Sequence, residues 1–242
     1  MTITAQDLYN LTKCAHRVYL DANGDPSDRG EVSPFVKLLW EMGLQTERAY
    51  IEKLGDLKPE DLQSLSPDDA WPVTLRLMEE GAGLIYQGCL KNEDWVGRPD
   101  LLLKQTDGHS GFGDFYYEPL DIKAGKGWEE REGKKTRFKE HYAFQILFYR
   151  ELLVRIQGYV PPFARMINVD GEVEESSTSL TTLMALLSFH RVSQRLGRQG
   201  SSRSWISCRV SRPVARGPHG NHEPHQRRRD GPHQHGGVGS AR

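Results

Sequence analysis

The segment VGRPDLLLKQTDGHSGFGDFYYEPLDIK, residues 96–123, contains two apolar runs separated by a loop rich in glycine and aspartate. The runs, residues 96–104 and 115–123, have the length and composition of β-strands, and the loop is typical of a strand connection. We therefore predict a β-hairpin. Its first strand carries Asp100, and its second carries Asp121 and Lys123.

The charged residues of this hairpin are expected to meet at one place. Side chains alternate between the two faces of a strand, so Asp121 and Lys123 share one face while Ile122 lies on the other. Pairing of the two strands would bring Asp100 beside them. The alternative is a solvated ion pair, which is the usual environment of a single D-x-K pattern.

A group of two carboxylates and one ammonium suits the hydrolysis of phosphodiesters. Carboxylates hold Mg²⁺ or another hard divalent cation, which neutralises phosphate charge and lowers the pKa of a bound water. A lysine stabilises charge that develops in the transition state. The carbonyl of Ile122 would be a further oxygen ligand, and Glu47 would supply another carboxylate from a helix.

The rest of the chain predicts an α/β fold. Apolar periodicity predicts three helices, over residues 4–14, 34–54 and 140–158, with Thr4 as an N-cap and Gly158 as the end of the last helix.

Shorter elements are predicted between and after these helices. The sequence KNED, residues 91–94, predicts a turn between two strands, and residues 161–169 predict a last strand before an Asp-Gly turn. Residues 126–140 are highly charged, and we predict a mobile connection there.

Three ordered motifs resemble the RecB-type branch of the PD-(D/E)XK nuclease superfamily. They are Gly97-Arg98-Pro99-Asp100, then Asp121-Ile122-Lys123, then Gln145 and Tyr149 in the Q-x-x-x-Y pattern that is the most specific to this branch. The resemblance covers roughly residues 3–170. It implies a restriction-endonuclease-like core, in which a mixed central sheet is flanked by helices.

The resemblance also implies roles for individual residues. Asp100, Asp121 and the Ile122 carbonyl would bind Mg²⁺ or Mn²⁺ with help from Glu47, and Lys123 would be the catalytic lysine. Gln145 and Tyr149 would position the nucleic acid or the lysine. The basic residues after the second strand would contact the DNA backbone, or else belong to an ordinary solvated loop; they are Lys126, Lys134, Lys135, Arg137 and Lys139.

The N-terminal part resembles the CRISPR-associated RecB-like exonucleases and related uncharacterised RecB-like nucleases through CAHRVYLD, residues 14–21. Those families often have a His-Glu pair in the first long helix, where this chain has Thr46 and Glu47. Many relatives also bind a [4Fe-4S] cluster through one N-terminal and three C-terminal cysteines. Cys14 matches the first ligand, but only Cys208 remains beyond residue 89, so we expect no cluster in this chain.

Charge divides the chain into two parts. Residues 1–175 carry 21 basic and 31 acidic side chains, whereas residues 176–242 carry 11 basic and 2 acidic ones. We predict a nuclease-like domain over residues 1–175 and a disordered tail, rich in Arg, His and Gly, over residues 176–242. The tail is either an arm that binds nucleic acid or a stretch translated out of frame from a GC-rich gene.

The sequence thus predicts a Mg²⁺- or Mn²⁺-dependent deoxyribonuclease of the kind used in DNA repair, acting on single-stranded DNA or at ends, and it leaves open whether the enzyme is an exonuclease or an endonuclease. One alternative is a catalytically impaired module that still binds nucleic acid, and another is an enzyme acting on a different phosphate ester. Helicase-like domains or subunits are possible partners in such systems. With no apolar run of 18 residues and no signal peptide, we expect a cytoplasmic protein that does not span a membrane.

Overall fold

A computed structural model of the protein describes residues 2–55 and 57–176. The predicted tail lies outside the described residues, apart from Ser176. Within the part of the chain that is described, no helix is both long enough and apolar enough to cross a membrane.

Within the described residues there are five α-helices, and the sequence explains an end of three of them. They are α1 (Ala5–Lys13), α2 (Ala15–Asn23), α3 (Pro34–Lys53), α4 (Pro67–Glu79) and α5 (Glu140–Gln157). Thr4 caps α1 in a reciprocal capping box with Asp7, as the sequence predicts. Ser33 caps α3, with Pro34 in the first turn. Gly158, with a φ of 67°, ends α5 in the left-handed conformation that favours glycine.

The strands form a mixed sheet with two smaller sheets beside it. In chain order they are β1 (Ile3–Thr4), β2 (Glu60–Asp61), β3 (Leu84–Tyr86), β4 (Leu90–Asn92), β5 (Trp95–Gly97), β6 (Leu101–Gln105), β7 (Tyr116–Ile122), β8 (Trp128–Arg131), β9 (Lys134–Phe138), β10 (Arg165–Ile167) and β11 (Val173–Glu175). The main sheet has the order β11-β10-β7-β6-β3-β2. Its β10/β7 and β3/β2 pairs are parallel and its other pairs antiparallel, which confirms the prediction of a mixed sheet flanked by helices.

The hairpin predicted from residues 96–123 is the centre of the main sheet. Strands β6 and β7 are antiparallel, and Leu101 lies opposite Leu120. This register brings Asp100, the residue before β6, next to Asp121 near the end of β7. The predicted last strand is also present as β10, which lies parallel to β7 with Met166 opposite Asp121.

Strands β4 and β5 flank the predicted turn at residues 91–94. They do not belong to the main sheet. They join β1 in a three-stranded sheet of order β1-β5-β4. Glu93 in the turn has a φ of 53°, which is the left-handed backbone conformation that a tight hairpin turn needs.

Residues 126–140 contain a hairpin that the sequence analysis missed, because charged side chains hide the strand pattern there. Strands β8 and β9 pair in an antiparallel fashion around Glu132 and Gly133, whose φ values are 52° and 73°. Positive φ at two successive central residues is the signature of a type I′ hairpin turn. The base of the hairpin is tied to the main domain, since the Gly127 N–H donates to the buried Glu174 at 2.5 Å.

The two faces of the main sheet pack against different helices. Helix α5 and strand residues such as Leu102 and Tyr117 share the larger hydrophobic core, whereas Tyr50 and Ile51 of α3 pack against Leu101, Leu120 and Ile122 on the other face.

Helix α3 buries only part of its length in this way. Its apolar periodicity predicts the helix correctly, but several of the periodic side chains are exposed, including Phe35 (65%) and Trp40 (57%). Glu47 is the one residue of α3 that is buried. The helix therefore delivers a carboxylate to the centre of the fold in addition to the partly buried Tyr50 and Ile51.

Candidate active site

Asp100 lies at the N-terminal end of β6 and accepts two hydrogen bonds. The Ile122 N–H donates to its Oδ2 at 2.6 Å, and Gln87 Nε2 donates to its Oδ1 at 3.0 Å. Burial, the charge of Asp121 and the charge of Glu47 raise the pKa of Asp100 well above its ordinary value, while Lys123 and the Ile122 N–H act in the opposite direction. Asp100 is thus crowded by other carboxylates.

Asp121 and Lys123 form a buried ion pair at the end of β7. Asp121 is only 2% exposed, and its Oδ2 contacts the Lys123 ammonium. Burial by itself lowers the pKa of Lys123, but the carboxylates of Asp121 and Asp100 outweigh this effect and raise it. The structure therefore brings together Asp100, Asp121 and Lys123, and keeps the lysine cationic at neutral pH.

Glu47 reaches this group through Gln87. The Gln87 Nε2 amide donates to Glu47 Oε1 at 2.5 Å and also to Asp100 Oδ1, so one amide group bridges two carboxylates. Thr46, by contrast, directs its hydroxyl to the Met42 carbonyl of its own helix at 2.9 Å.

Gln87 is a site residue that the sequence analysis missed. It has a φ of 54°, which is unusual for a residue other than glycine. Its backbone is held on both sides, because the Gln87 N–H donates to the Asp100 carbonyl at 2.8 Å and Arg98 Nε donates to the Gln87 carbonyl at 2.8 Å. The available signal was the Gln-Gly pair that interrupts the apolar run of residues 84–90.

The Tyr86 hydroxyl forms a hydrogen bond with Glu47. Burial, a hydrogen bond with Glu47 and the nearby carboxylates raise the pKa of Tyr86, so the phenol stays protonated. The Gln63 side chain donates to the Tyr86 hydroxyl at 2.9 Å. Glu47 therefore has neutral hydrogen-bond donors around it.

The Q-x-x-x-Y pair lies on the buried side of α5. Burial and the charges of Asp121 and Asp100 raise the pKa of Tyr149 well above its ordinary value, which places the phenol within electrostatic reach of the site. Gln145 is buried one turn earlier. Within residues 2–55 and 57–176, no hydrogen bond joins Gln145 to Asp100, Asp121 or Lys123.

The glycine of the first motif has a packing role. A Cβ atom on Gly97 would lie 2.9 Å from Tyr149 Cδ1 and 2.8 Å from Leu152 Cδ1. Glycine at this position thus allows α5 to pack closely against β5 and places Tyr149 near the carboxylates.

The predicted basic contacts lie on or beside the β8–β9 hairpin. Lys126 forms ion pairs with Glu130 at 3.7 Å and Asp170 at 3.9 Å, and Arg137 forms one with Glu129 at 3.1 Å. Lys134 and Lys135 have exposed side chains. Of the five predicted basic residues, Lys126 and Arg137 are thus already associated with carboxylates.

Cys14, the predicted remnant of a cluster ligand, lies in extended backbone between α1 and α2 and is half-buried. Its position at the junction of two helices, with a φ of −164°, separates them into distinct elements.

The donor chemistry of the site suits a hard divalent cation. Glu47, Asp100 and Asp121 offer carboxylate oxygens, and burial together with the neighbouring carboxylates raises the pKa of Asp100, an effect that a bound cation would oppose. The Lys123 ammonium supplies positive charge beside Asp121, and the neutral Gln87 amide donates hydrogen bonds to Glu47 and Asp100. Among the described side chains, no three acidic, histidine or cysteine residues converge closely enough to hold an ion.

Comparison of the chain with protein-family models gives no match, and comparison with curated proteins gives none either.

Proposed function

We propose that the protein is a metal-dependent nuclease that hydrolyses DNA phosphodiester bonds, with the restriction-endonuclease-like core of the RecB-like nucleases. The observation that supports this most is the meeting of Asp100, Asp121 and Lys123 at one end of the β6–β7 hairpin. An ion pair on a solvated strand face would not be buried, whereas Asp121 is 2% exposed.

Each side chain of the site has a task in this proposal. Asp100, Asp121 and the Ile122 carbonyl would hold Mg²⁺ or Mn²⁺, with Glu47 as a further ligand. When bound, the ion neutralises phosphate charge and activates water. Lys123 stays cationic and stabilises negative charge on the phosphate. Tyr149 stays protonated and offers a hydroxyl from α5.

The proposed substrate is single-stranded DNA or a DNA end, in a repair-type reaction in the cytoplasm. Lys134 and Lys135 would contact the backbone from the tip of the β8–β9 hairpin. Helicase-like domains or subunits are the proposed partners, since an enzyme that needs single strands depends on a reaction that separates duplex DNA.

One observation favours a second candidate, a nuclease-derived module that binds nucleic acid without cleaving it. The Gln87 amide lies between Glu47 and Asp100, and Thr46 takes the place of the usual histidine. If Gln87 keeps this position permanently, Glu47 does not join a metal.

A cleavage assay with the purified wild-type chain separates the two candidates. Labelled single-stranded DNA, duplex DNA and RNA would each be incubated with Mg²⁺, Mn²⁺, Ca²⁺ or EDTA. The nuclease proposal predicts cleavage of single-stranded DNA in Mg²⁺ or Mn²⁺ and none in EDTA. Binding of DNA without cleavage in any of these ions would support the second candidate instead.

A further inference from the structure

A group of aromatic and lysine side chains lies beside the carboxylates where α1 meets the start of α5. Its members are Tyr9 and Lys13 of α1, Lys139 just before α5, and His141 and Tyr142 in the first turn of α5. We refer to these five residues as the aromatic–lysine surface. All five side chains are at least partly accessible to solvent.

The rings of this surface form a continuous row. The centroids of Tyr9 and His141 are 5.2 Å apart in an edge-to-face arrangement, and those of His141 and Tyr142 are 4.3 Å apart. Aromatic rings at such distances stabilise one another and hold a fixed surface. The row therefore places three aromatic rings next to one another on the surface.

Lysines border the row on both sides. Lys13 Nζ lies 5.6 Å from the Tyr9 centroid, and Lys139 Nζ lies 5.5 Å from the Tyr142 centroid. In the described part of the chain, neither lysine forms an ion pair with a carboxylate. This distinguishes them from Lys126 and Arg137, which do.

The imidazole in the row does not add positive charge of its own. Lys13 Nζ donates to His141 Nδ1 at 3.1 Å, which requires an unprotonated Nδ1. Burial, followed by the charges of Lys13, Lys139 and Lys123, lowers the pKa of His141 to about 4. A neutral ring with two adjacent ammonium groups is suited to stacking next to an anion.

The surface leads directly to the catalytic lysine of the proposed function. Lys123 Nζ lies 5.8 Å from the Tyr142 centroid, so Tyr142 has Lys139 and Lys123 as neighbours. Lys139 is also tied to the β8–β9 hairpin, because its Nζ donates to the Lys126 carbonyl at 2.5 Å. A strand lying along the row would therefore end beside Lys123.

We propose that the aromatic–lysine surface binds single-stranded DNA, with bases stacking on Tyr9, His141 and Tyr142 and phosphates contacting Lys13 and Lys139. This inference rests on the proposed function for the identity of its substrate. Free bases stack on aromatic side chains, whereas the bases of a duplex are covered by their neighbours. The surface therefore selects single strands.

The test is binding without cleavage. Fluorescence anisotropy in EDTA would measure the affinity of the full chain for labelled oligo(dT) and for a duplex of equal length at low salt. We expect Lys13→Glu and Tyr142→Leu each to weaken oligo(dT) binding by about tenfold. Tyr142→Phe, which keeps the ring, is expected to bind like the wild type. Thermal unfolding of each variant would check that it folds.

Lys58 provides the matched control. It is an exposed lysine near β2, at the far edge of the main sheet from β7, and Lys58→Glu makes the same charge change as Lys13→Glu. If Lys58→Glu weakens oligo(dT) binding as much as Lys13→Glu does, the inference is wrong. It is also wrong if Lys13→Glu and Tyr142→Leu weaken duplex binding as much as oligo(dT) binding.

Failure of the inference and failure of the proposed function give different results. If the wild type cleaves DNA but Lys13→Glu and Tyr142→Leu bind oligo(dT) normally, the inference is wrong and the nuclease proposal stands. If these variants lose binding but the wild type does not cleave in any metal, the surface is confirmed and the nuclease proposal is wrong.

Discussion

At the scale of single residues, Gln87 is the feature that most affects how the site works. Its left-handed backbone lets one amide donate to Glu47 and Asp100 together. An amide between two carboxylates reduces their repulsion in the absence of a cation. Gln87 therefore has a positioning role, and it would have to turn away for Glu47 to contact a metal.

Replacing Gln87 by glycine tests this role, because glycine accepts the positive φ and only the side chain is lost. We expect Gln87→Gly to lower the free energy of unfolding by about 1–2 kcal/mol without divalent cations, since two carboxylates lose their shared donor. Mg²⁺ should restore part of the loss. Urea unfolding with and without Mg²⁺ would measure both effects, and unchanged stability in EDTA would contradict the assigned role.

His141 makes the stability of the folded protein depend on pH in a specific way. Its pKa is lowered from an ordinary value of 6.5 to about 4, so between these values the unfolded chain binds a proton that the folded protein does not. Stability linked to His141 is therefore present above pH 6.5 and is lost as the pH falls towards 4. The groups that set this pKa come from several elements: Lys13, Lys123, Lys139 and Glu129.

We expect His141→Gln to lose less stability than the wild type between pH 6.5 and 4, by about 1–2 kcal/mol after allowance for solvent screening. Urea unfolding across this range would measure the difference. His109→Gln, at an exposed histidine, is the control that should follow the wild-type profile. Parallel profiles for His141→Gln and the wild type would rule out a neutral imidazole in the folded protein.

At the scale of elements, the local features of the fold could be predicted and the non-local ones could not. The β6–β7 hairpin, the caps at Thr4 and Gly158 and the turn at residues 91–94 depend on neighbouring residues, so the sequence indicates them. The pairing of β6 with β7 is enough by itself to bring Asp100, Asp121 and Lys123 together.

The missed features lack a clear pattern of apolar residues, or join segments that are far apart in the chain. The β8–β9 hairpin has charged strands with little apolar alternation. A positive φ at Gln87 has no signature in a residue that is not glycine. The aromatic–lysine surface combines α1 with α5, which are more than a hundred residues apart in the chain.

The contact between β5 and α5 leads to a prediction about the stability of variants at Gly97. Gly97→Ala would place a Cβ atom 2.8 Å from Leu152 Cδ1, so α5 would have to shift, and we expect a loss of about 1–3 kcal/mol in stability. Gly43→Ala in α3 is the matched control, because no atom lies within 4 Å of its added Cβ and alanine favours a helix. Similar melting temperatures for the two variants would contradict the proposed packing role of Gly97.

At the scale of the whole molecule, charge is distributed unevenly in a way that fits an anionic substrate. Residues 1–175 carry 31 acidic and 21 basic side chains, yet lysines surround the proposed path from α1 to the carboxylates. Lys13, Lys139 and Lys123 follow one another along the aromatic row, and Lys134 and Lys135 lie on the adjoining hairpin. A locally positive path on an acidic protein directs a polyanion to one place.

The proposal that the protein is a metal-dependent nuclease with Lys123 as its catalytic lysine is tested most directly by the cleavage rate of Lys123→Ala. Rates on labelled single-stranded DNA would be compared for the wild type, Lys123→Ala and the control Lys58→Ala, in Mg²⁺ and in Mn²⁺, with folding checked by thermal unfolding. The account predicts that Lys123→Ala cleaves at least about 100-fold more slowly in both metals, while Lys58→Ala keeps the wild-type rate. Equal cleavage rates for Lys123→Ala and the wild type would contradict it.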